Sequence, residues 1–222
     1  MKKLFLLSSS GDLSAGKQIR SYLVIQVLIY MLSNNSFFFT FDLKIISMFL
    51  ELLKTITQRL EQKEIRYMVS GSLAINVYSV PRMTLDIDIV IELNETNFMT
   101  FLEIFKSGYY INEETALKEI RRKGMFNVID HDTGLKIDFI IRKDTEYRRL
   151  EFSRKTRKMI KNVPVWMVSA EDLVISKLEW IQQLQSDRQM HDIKNLMALP
   201  DLDKEYISSW CRKLNLDTFN MI

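Results

Sequence analysis

The hydrophobic pattern of the 222-residue chain becomes regular from Met48 onward. Phe49, Leu52, Leu53, Ile56 and Leu60 recur at helical spacing and predict an amphipathic helix that ends near Lys63. A short strand at 65–70 (IRYMVS), a turn at Gly71-Ser72 and a brief helix over SLAINVYS follow. Strict alternation then predicts a strand at 86–92. Leu85, Ile87, Ile89 and Ile91 share one face, and Asp86, Asp88, Val90 and Glu92 share the other. A helix over about 95–106 and a polar helical stretch around 113–123 lead into strands 125–130 and 134–141. The loop DHDTG, residues 130–134, joins these two as a hairpin. On the second of them Leu135, Ile137, Phe139 and Ile141 oppose Lys136, Asp138, Ile140 and Arg142. VPVWMV, residues 163–168, is a further strand. Ser169 then caps a helix, with Asp172 three residues on as a capping-box-like acid. Helices of about 170–185, 188–198 and 203–214 complete the chain, the last two separated by Pro200. Mixed strands followed by helices predict an α+β fold, a small mixed sheet with flanking helices and a helical C-terminal lobe. The expected division is a core over 48–168 and a lobe over 169–222.

Residues 1–47 differ from the rest. Two apolar runs, Leu4 to Leu7 and Tyr22 to Leu32, are too short for a signal h-region and a membrane span respectively, which disfavours a membrane anchor. GDLSAGKQ, residues 11–18, fits G-x-x-x-x-G-K but has Gln18 where a P-loop places the Mg²⁺-ligating Ser or Thr, so it reads as a chance match. This stretch carries Lys2, Lys3, Lys17, Arg20 and Lys44 against Asp12 and Asp42. It therefore accounts for the whole net charge of +3, and the remainder is neutral overall. Because the regular helix begins at Met48, residues 1–47 are expected to be an extension outside the working domain, or an overlong reading frame. One cysteine, Cys211, precludes an intrachain disulfide and fits a reducing, cytoplasmic setting. His131 and His191 form no Cys/His cluster, which argues against zinc.

The alternation raises a chemical question. Aspartate is depleted in strands, yet Asp86 and Asp88 share one face, and Asp138 occupies the matching face of a second amphipathic strand. Pairing the two strands would gather three carboxylates, which raise one another's pKa unless a cation compensates. A hard divalent ion with oxygen ligands and substrate phosphates is the natural compensation. The bland alternative is a pair of strands whose acids are simply solvated. Gly71-Ser72, ending a strand and opening a helix, offers backbone N–H groups and a hydroxyl to a phosphate.

Taken together, SGSLAINVYSVPRMTLDIDIV resembles the signature of the DNA-polymerase-beta-like nucleotidyltransferase superfamily: Gly-Ser, a spacer of thirteen residues between Ser72 and Asp86, then Asp-x-Asp. It is most similar to the minimal bacterial AbiEii/MenT type, found as toxins of toxin–antitoxin pairs. That pattern is met by Gly71, Ser72, Ala74, Arg82, Thr84, Asp86 and Asp88, with Ser79 replacing its usual Gly. VSAEDLVISKLEW and DRQMHDIKNL resemble two later motifs, with His191 and Asn195 as departures, so the likeness covers about residues 48–200.

The resemblance implies a nucleotidyltransferase that moves a nucleoside monophosphate from an NTP to a hydroxyl, on a tRNA 3′ end or a protein. Mg²⁺ or Mn²⁺ would be held by Asp86, Asp88 and Asp138. Gly71, Ser72, Arg82, Thr84, Lys177 and Asp192 would bind the nucleotide, and an antitoxin protein would be a partner. Periodicity independently places Lys177 within the apolar face of Leu173, Val174, Leu178, Ile181 and Leu184, where it must snorkel or find a partner. The stretch Arg142–Lys161 holds nine basic residues against Asp144, Glu146 and Glu151. It reads equally as a solvated surface or as a surface for RNA phosphates. A non-catalytic nucleotide- or partner-binding protein of the same fold is the alternative function.

Overall fold

The computed structural model describes residues 40–81, 84 and 86–222, with side chains from residue 47 onward. The GDLSAGKQ match, the readings of residues 1–39, and Arg82 lie outside the described residues. Helix α1 (Thr40–Gln62) begins before the Met48 expected from periodicity. It buries Phe49, Leu52, Leu53, Ile56 and Leu60, the five positions that defined its apolar stripe.

Seven strands form one mixed sheet in the order β3-β4-β5-β2-β1-β7-β6. The central strands are β1 (Tyr67–Val69), wholly buried, and β2 (Asp86–Ile91), whose burial alternates strictly. Helix α2 (Gly71–Tyr78) lies between them in sequence, and β1 and β2 pair antiparallel. Beyond β2 come β5 (Lys136–Ile141), parallel to it, then β4 (Met125–Asp130) and β3 (Tyr109–Ile111), each antiparallel to its neighbour. On the other side β7 (Val163–Met167) runs parallel to β1, and β6 (Thr156–Ile160) closes the sheet antiparallel to β7. The β4–β5 hairpin is the expected one. Asp130 Oδ2 accepts from the Thr133 backbone N–H at 2.8 Å, and Gly134 takes the left-handed φ of +66° that ends the turn.

Period two decides which face packs. Ile87, Ile89 and Ile91 on β2, and Ile137, Phe139 and Ile141 on β5, are buried. Helix α3 (Phe98–Ile104) seals that side, Phe101 meeting Phe139 edge-on at 5.0 Å and Phe126 at 5.6 Å. Arg59 of α1 donates to the Ile104 carbonyl at 2.9 Å, tying α1 to α3. Helix α4 (Glu113–Arg122) is capped by Asn112, which accepts from the Thr115 N–H at 2.9 Å, and it ends at Lys123 in the left-handed conformation.

Three helices finish the chain: α6 (Ala170–Ile181), α7 (Asp187–Met197) and α8 (Lys204–Lys213). They follow α5 (Glu146–Ser153) and the β6–β7 hairpin. Their apolar faces, including Leu173, Ile193, Ile207 and Trp210, join the same core as the strands. Among the described residues the fold is thus a seven-stranded mixed sheet with eight helices, the α+β class expected.

The structure also adds elements that the pattern does not show. β3 has three residues and β6 reads TRKMI, and both are sheet edges. Edge strands need no alternating apolar face, because only one side of the backbone is paired and charge discourages further pairing. Among the described residues, no helix is long and apolar enough to cross a membrane.

Candidate active site

The parallel register of β2 and β5 sets Asp88 directly opposite Asp138, and Asp86 opposite Lys136. The two acids that face each other come from strands about fifty residues apart, and alternation alone turns them to the same side. Asp138 is buried, whereas the Asp86 side chain is 47% exposed. Thr84 Oγ1 accepts from the Asp86 backbone N–H at 3.3 Å and fixes the start of the strand.

Gly71 explains why a Gly-Ser turn precedes the acids. Its φ is +59°, a conformation that costs an L-residue with a Cβ roughly 1–2 kcal/mol. A Cβ there would also overlap the Asp88 carboxylate and come within 2.8 Å of Asp88 Cβ. The next amide, Ser72 N–H, donates to Asp88 Oδ2 at 3.3 Å, while Ser70 N–H donates to the Asp88 carbonyl at 2.9 Å. The turn and the second acid of D-x-D are therefore one packed unit. Gly71→Ala is expected to lower stability by about 2 kcal/mol or more in urea melts. The accompanying displacement of Asp88 should cut any reaction that depends on it by about 100-fold, the usual cost of a misplacement near 1 Å.

The electrostatics differ between the acids. Burial, followed by the charge of Asp138, pushes the Asp88 carboxyl up to about 6; the Ser72 N–H and Lys177 act the other way. Lys136 supplies a positive charge on the same face. Its Nζ lies 2.8 Å from Asp138 Oδ2 and 3.6 Å from Asp86 Oδ1. Partial burial opposes its charge, but contact with Asp138 and Asp86 outweighs this and raises its pKa.

Lys177 neither snorkels nor faces solvent. It is buried, donates to Asp192 Oδ2 at 2.9 Å and to Gln189 Oε1 at 2.7 Å, and sits near enough to favour the charged form of Asp88. Asp192, on α7, is itself buried. The family-like motifs on α6 and α7 thus meet as one ion pair beside the acids. Gln189 is a member of this group that the sequence did not single out. Its signal was present, since Gln189 lies three residues before Asp192, on the same helical face.

The donor set around Asp86, Asp88 and Asp138 is all oxygen, which suits a hard divalent ion. Among the described residues, however, no three acidic, histidine or cysteine side chains are gathered closely enough to hold an ion as they stand. The register pairs Asp88 with Asp138, and Lys136 bridges Asp138 to Asp86. In chemistry the residues fit a metal; in arrangement a lysine holds two of them.

The basic stretch 142–161 is largely engaged within the molecule. Arg142 pairs with Glu92 and Asp144, Arg148 with Glu151 and Glu179, and Arg149 with Asp144. Arg154 pairs with Asp172 and Arg157 with Glu61. Lys155 packs over the Phe152 ring at 3.8 Å. Four of these carboxylates, Glu92, Glu179, Asp172 and Glu61, lie far away in sequence, so these arginines serve ion pairs within the molecule.

No protein-family model matches the chain, and no curated protein matches its sequence. Solved structures do. The antibiotic-resistance factor ANT(2″)-Ia, in complex with adenylyl-2″-tobramycin, superposes with a TM-score of 0.53 at 13% identity, covering 76% of this chain and 97% of that one. The same enzyme in solution gives 0.48 at 14% identity, covering 76% and 92%. The lincosamide antibiotic adenylyltransferase LnuA with lincomycin bound gives 0.45 at 14% identity, covering 70% and 96%. The first of these, nearly the whole of which is matched, shows that the chain has a nucleotidyltransferase fold.

Proposed function

We propose that the protein is a nucleotidyltransferase that moves a nucleoside monophosphate from an NTP to an acceptor hydroxyl and releases pyrophosphate. The observation that carries this reading is the register of Asp88 with Asp138 beside the Gly71-Ser72 turn, within a nucleotidyltransferase fold. Asp86, Asp88 and Asp138 would hold Mg²⁺ or Mn²⁺. When bound, the ion would neutralise the triphosphate and activate the attacking oxygen. The acceptor oxygen bonds to the α-phosphorus as the bond to the β-phosphate bridging oxygen breaks, and Asp138 takes the hydroxyl proton. Gly71 and Ser72 would present the helix N-terminus to the terminal phosphates. Lys177, oriented by Asp192, would add positive charge to the triphosphate side, with Thr84 and Arg82 completing the nucleotide contacts. The rate gain comes from positioning and fixed charge.

The motif likeness favours the AbiEii/MenT type, a toxin with an antitoxin partner working in the cytoplasm on a tRNA 3′ end or a protein hydroxyl. Five arginines of the stretch 142–161 are held in internal ion pairs, so any RNA contact there falls mainly to its lysines. Because ANT(2″)-Ia carries an adenylylated aminoglycoside, a small-molecule hydroxyl is a third acceptor class.

The test is transfer itself. With each of four α-labelled NTPs and Mg²⁺ or Mn²⁺, the protein is expected to label an acceptor among total RNA, total protein or an aminoglycoside, and to release pyrophosphate. The bridging of Asp86 and Asp138 by Lys136 favours a second reading, a non-catalytic nucleotide-binding protein. Thermal stabilisation by NTP with no labelled acceptor and no pyrophosphate would establish that reading instead.

A further inference from the structure

Lys136 stands where the proposed metal chemistry needs positive charge. It is the residue on β5 opposite Asp86, and it precedes Asp138 by two positions, on the same face of the strand. Its ammonium donates to Asp138 Oδ2 at 2.8 Å and lies 3.6 Å from Asp86 Oδ1. The side chain is 40% exposed, so it can leave for solvent without disturbing the packed face beneath it. By contrast Lys177, another cation near the acids, is buried and has its own carboxylate in Asp192.

We propose that Lys136 is an internal counter-cation that holds Asp86 and Asp138 together in the ion-free protein and must yield them when a divalent ion enters. It is a positioning residue, and it sets the ion concentration at which the site fills. This inference rests on the reading of Asp86, Asp88 and Asp138 as ion ligands. Two physical consequences follow. Without Lys136, Asp86 and Asp138 lose the cation that bridges them, so the ion-free protein should weaken. The divalent ion would no longer compete with an ammonium, so it should bind more tightly. Arginine keeps the charge and should behave much as lysine does.

Mn²⁺ titration followed by electron paramagnetic resonance, with no nucleotide turnover required, reads the competition directly. Lys136→Gln is expected to bind Mn²⁺ at least about tenfold more tightly than the wild type, and Lys136→Arg about equally to it. Thermal melts should show Lys136→Gln less stable without ion and restored by saturating Mn²⁺. Equal or weaker binding by Lys136→Gln overturns the role of Lys136 while leaving the metal site standing. Binding by neither protein overturns both.

A readout on the unaltered chain covers the case in which the Gln variant does not fold. Acetylation of Lys136 by a soluble acylating reagent, followed by peptide mass spectrometry, should speed up severalfold when Mn²⁺ saturates the wild type. An unchanged or slower rate overturns the proposal.

Discussion

Asp88→Asn is expected to reduce the proposed nucleotide transfer by about 1,000-fold or more, while making the ion-free protein more stable at pH 8. The loss corresponds to removing about 4 kcal/mol of transition-state stabilisation, the size of a key electrostatic group in a preorganised site. The gain has a separate cause. Burial and the nearby Asp138 and Asp86 hold the Asp88 carboxyl at about 6 instead of the usual 3.8. A carboxyl whose pKa is higher in the folded than in the unfolded chain supports the fold while it is protonated. That support is complete below pH 4 and is lost as the pH rises through 6. At pH 8 the ionised Asp88 therefore costs stability, by about 1–3 kcal/mol, because each tenfold change in proton affinity is worth about 1.4 kcal/mol. Asparagine is neutral throughout and can still accept from the Ser72 N–H. Urea melts at pH 4, 6 and 8 should show the variant ahead only at the upper end. A gap independent of pH would show that relief of charge is not the cause. Opposite movements of activity and stability would mark Asp88 as a residue retained for chemistry at the expense of the fold.

How far these residues could be read in advance follows from the range of the forces involved. Alternation is local, so Ile87, Ile89 and Ile91 against Asp86 and Asp88 were legible, as were the two faces of β5. The register that brings Asp88 to Asp138 is fixed by tertiary packing, but two amphipathic strands leave few ways to pair with both aliphatic faces inward. Lys136 was visible on the acid face of β5, yet its partnership with Asp86 and Asp138 depends on that register and could not be read from composition. The stretch 142–161 shows the opposite limit. A run of arginines looks like a surface when its partners are remote, and the partner of Arg157, Glu61, lies 96 positions away. β6 was hidden for a related reason, since TRKMI gains its strand geometry from β7 and not from its own pattern. The sequence marks Gly71 as a turn residue, and the structure supplies the stricter cause: the Asp88 side chain fills the space that a Cβ would need.

The same contrast bears on Asp172, whose replacement by Ala is expected to cost about 2–4 kcal/mol, because a buried carboxylate loses several hydrogen bonds, one of them from the partly exposed Arg154. In sequence Asp172 looks like a capping-box acid. In the fold Ser169 does cap α6, its Oγ accepting from the Asp172 N–H at 3.1 Å, but the Asp172 carboxylate also gathers donors from well beyond the helix end. It is fully buried and accepts four hydrogen bonds. Ser169 Oγ at 2.7 Å and Arg154 Nε at 2.9 Å reach Oδ2, and Tyr206 OH at 2.7 Å and Tyr147 OH at 3.3 Å reach Oδ1. These donors come from α5, the residue that follows it, the α6 cap and α8, so one carboxylate fastens the C-terminal helices to the rest of the molecule. Burial, together with the nearby carboxylates, raises the pKa of both tyrosines, which keeps them protonated donors at any working pH. Alanine would leave two phenols, a hydroxyl and a guanidinium without their shared acceptor, and each buried donor left unsatisfied costs about 1–3 kcal/mol before relaxation. Asp172→Asn, which keeps the shape and one acceptor oxygen but loses the charge that Arg154 needs, should fall between Ala and the wild type. Urea unfolding of the three proteins checks the order. Because Lys177 sits on the same helix, Asp172→Ala should also loosen the Lys177–Asp192 pair, visible as faster hydrogen exchange at α6 and α7 than at β2 and β5. Uniform acceleration across the sheet and the lobe would instead mean that the whole fold shares one unfolding unit, with Asp172 anchoring all of it.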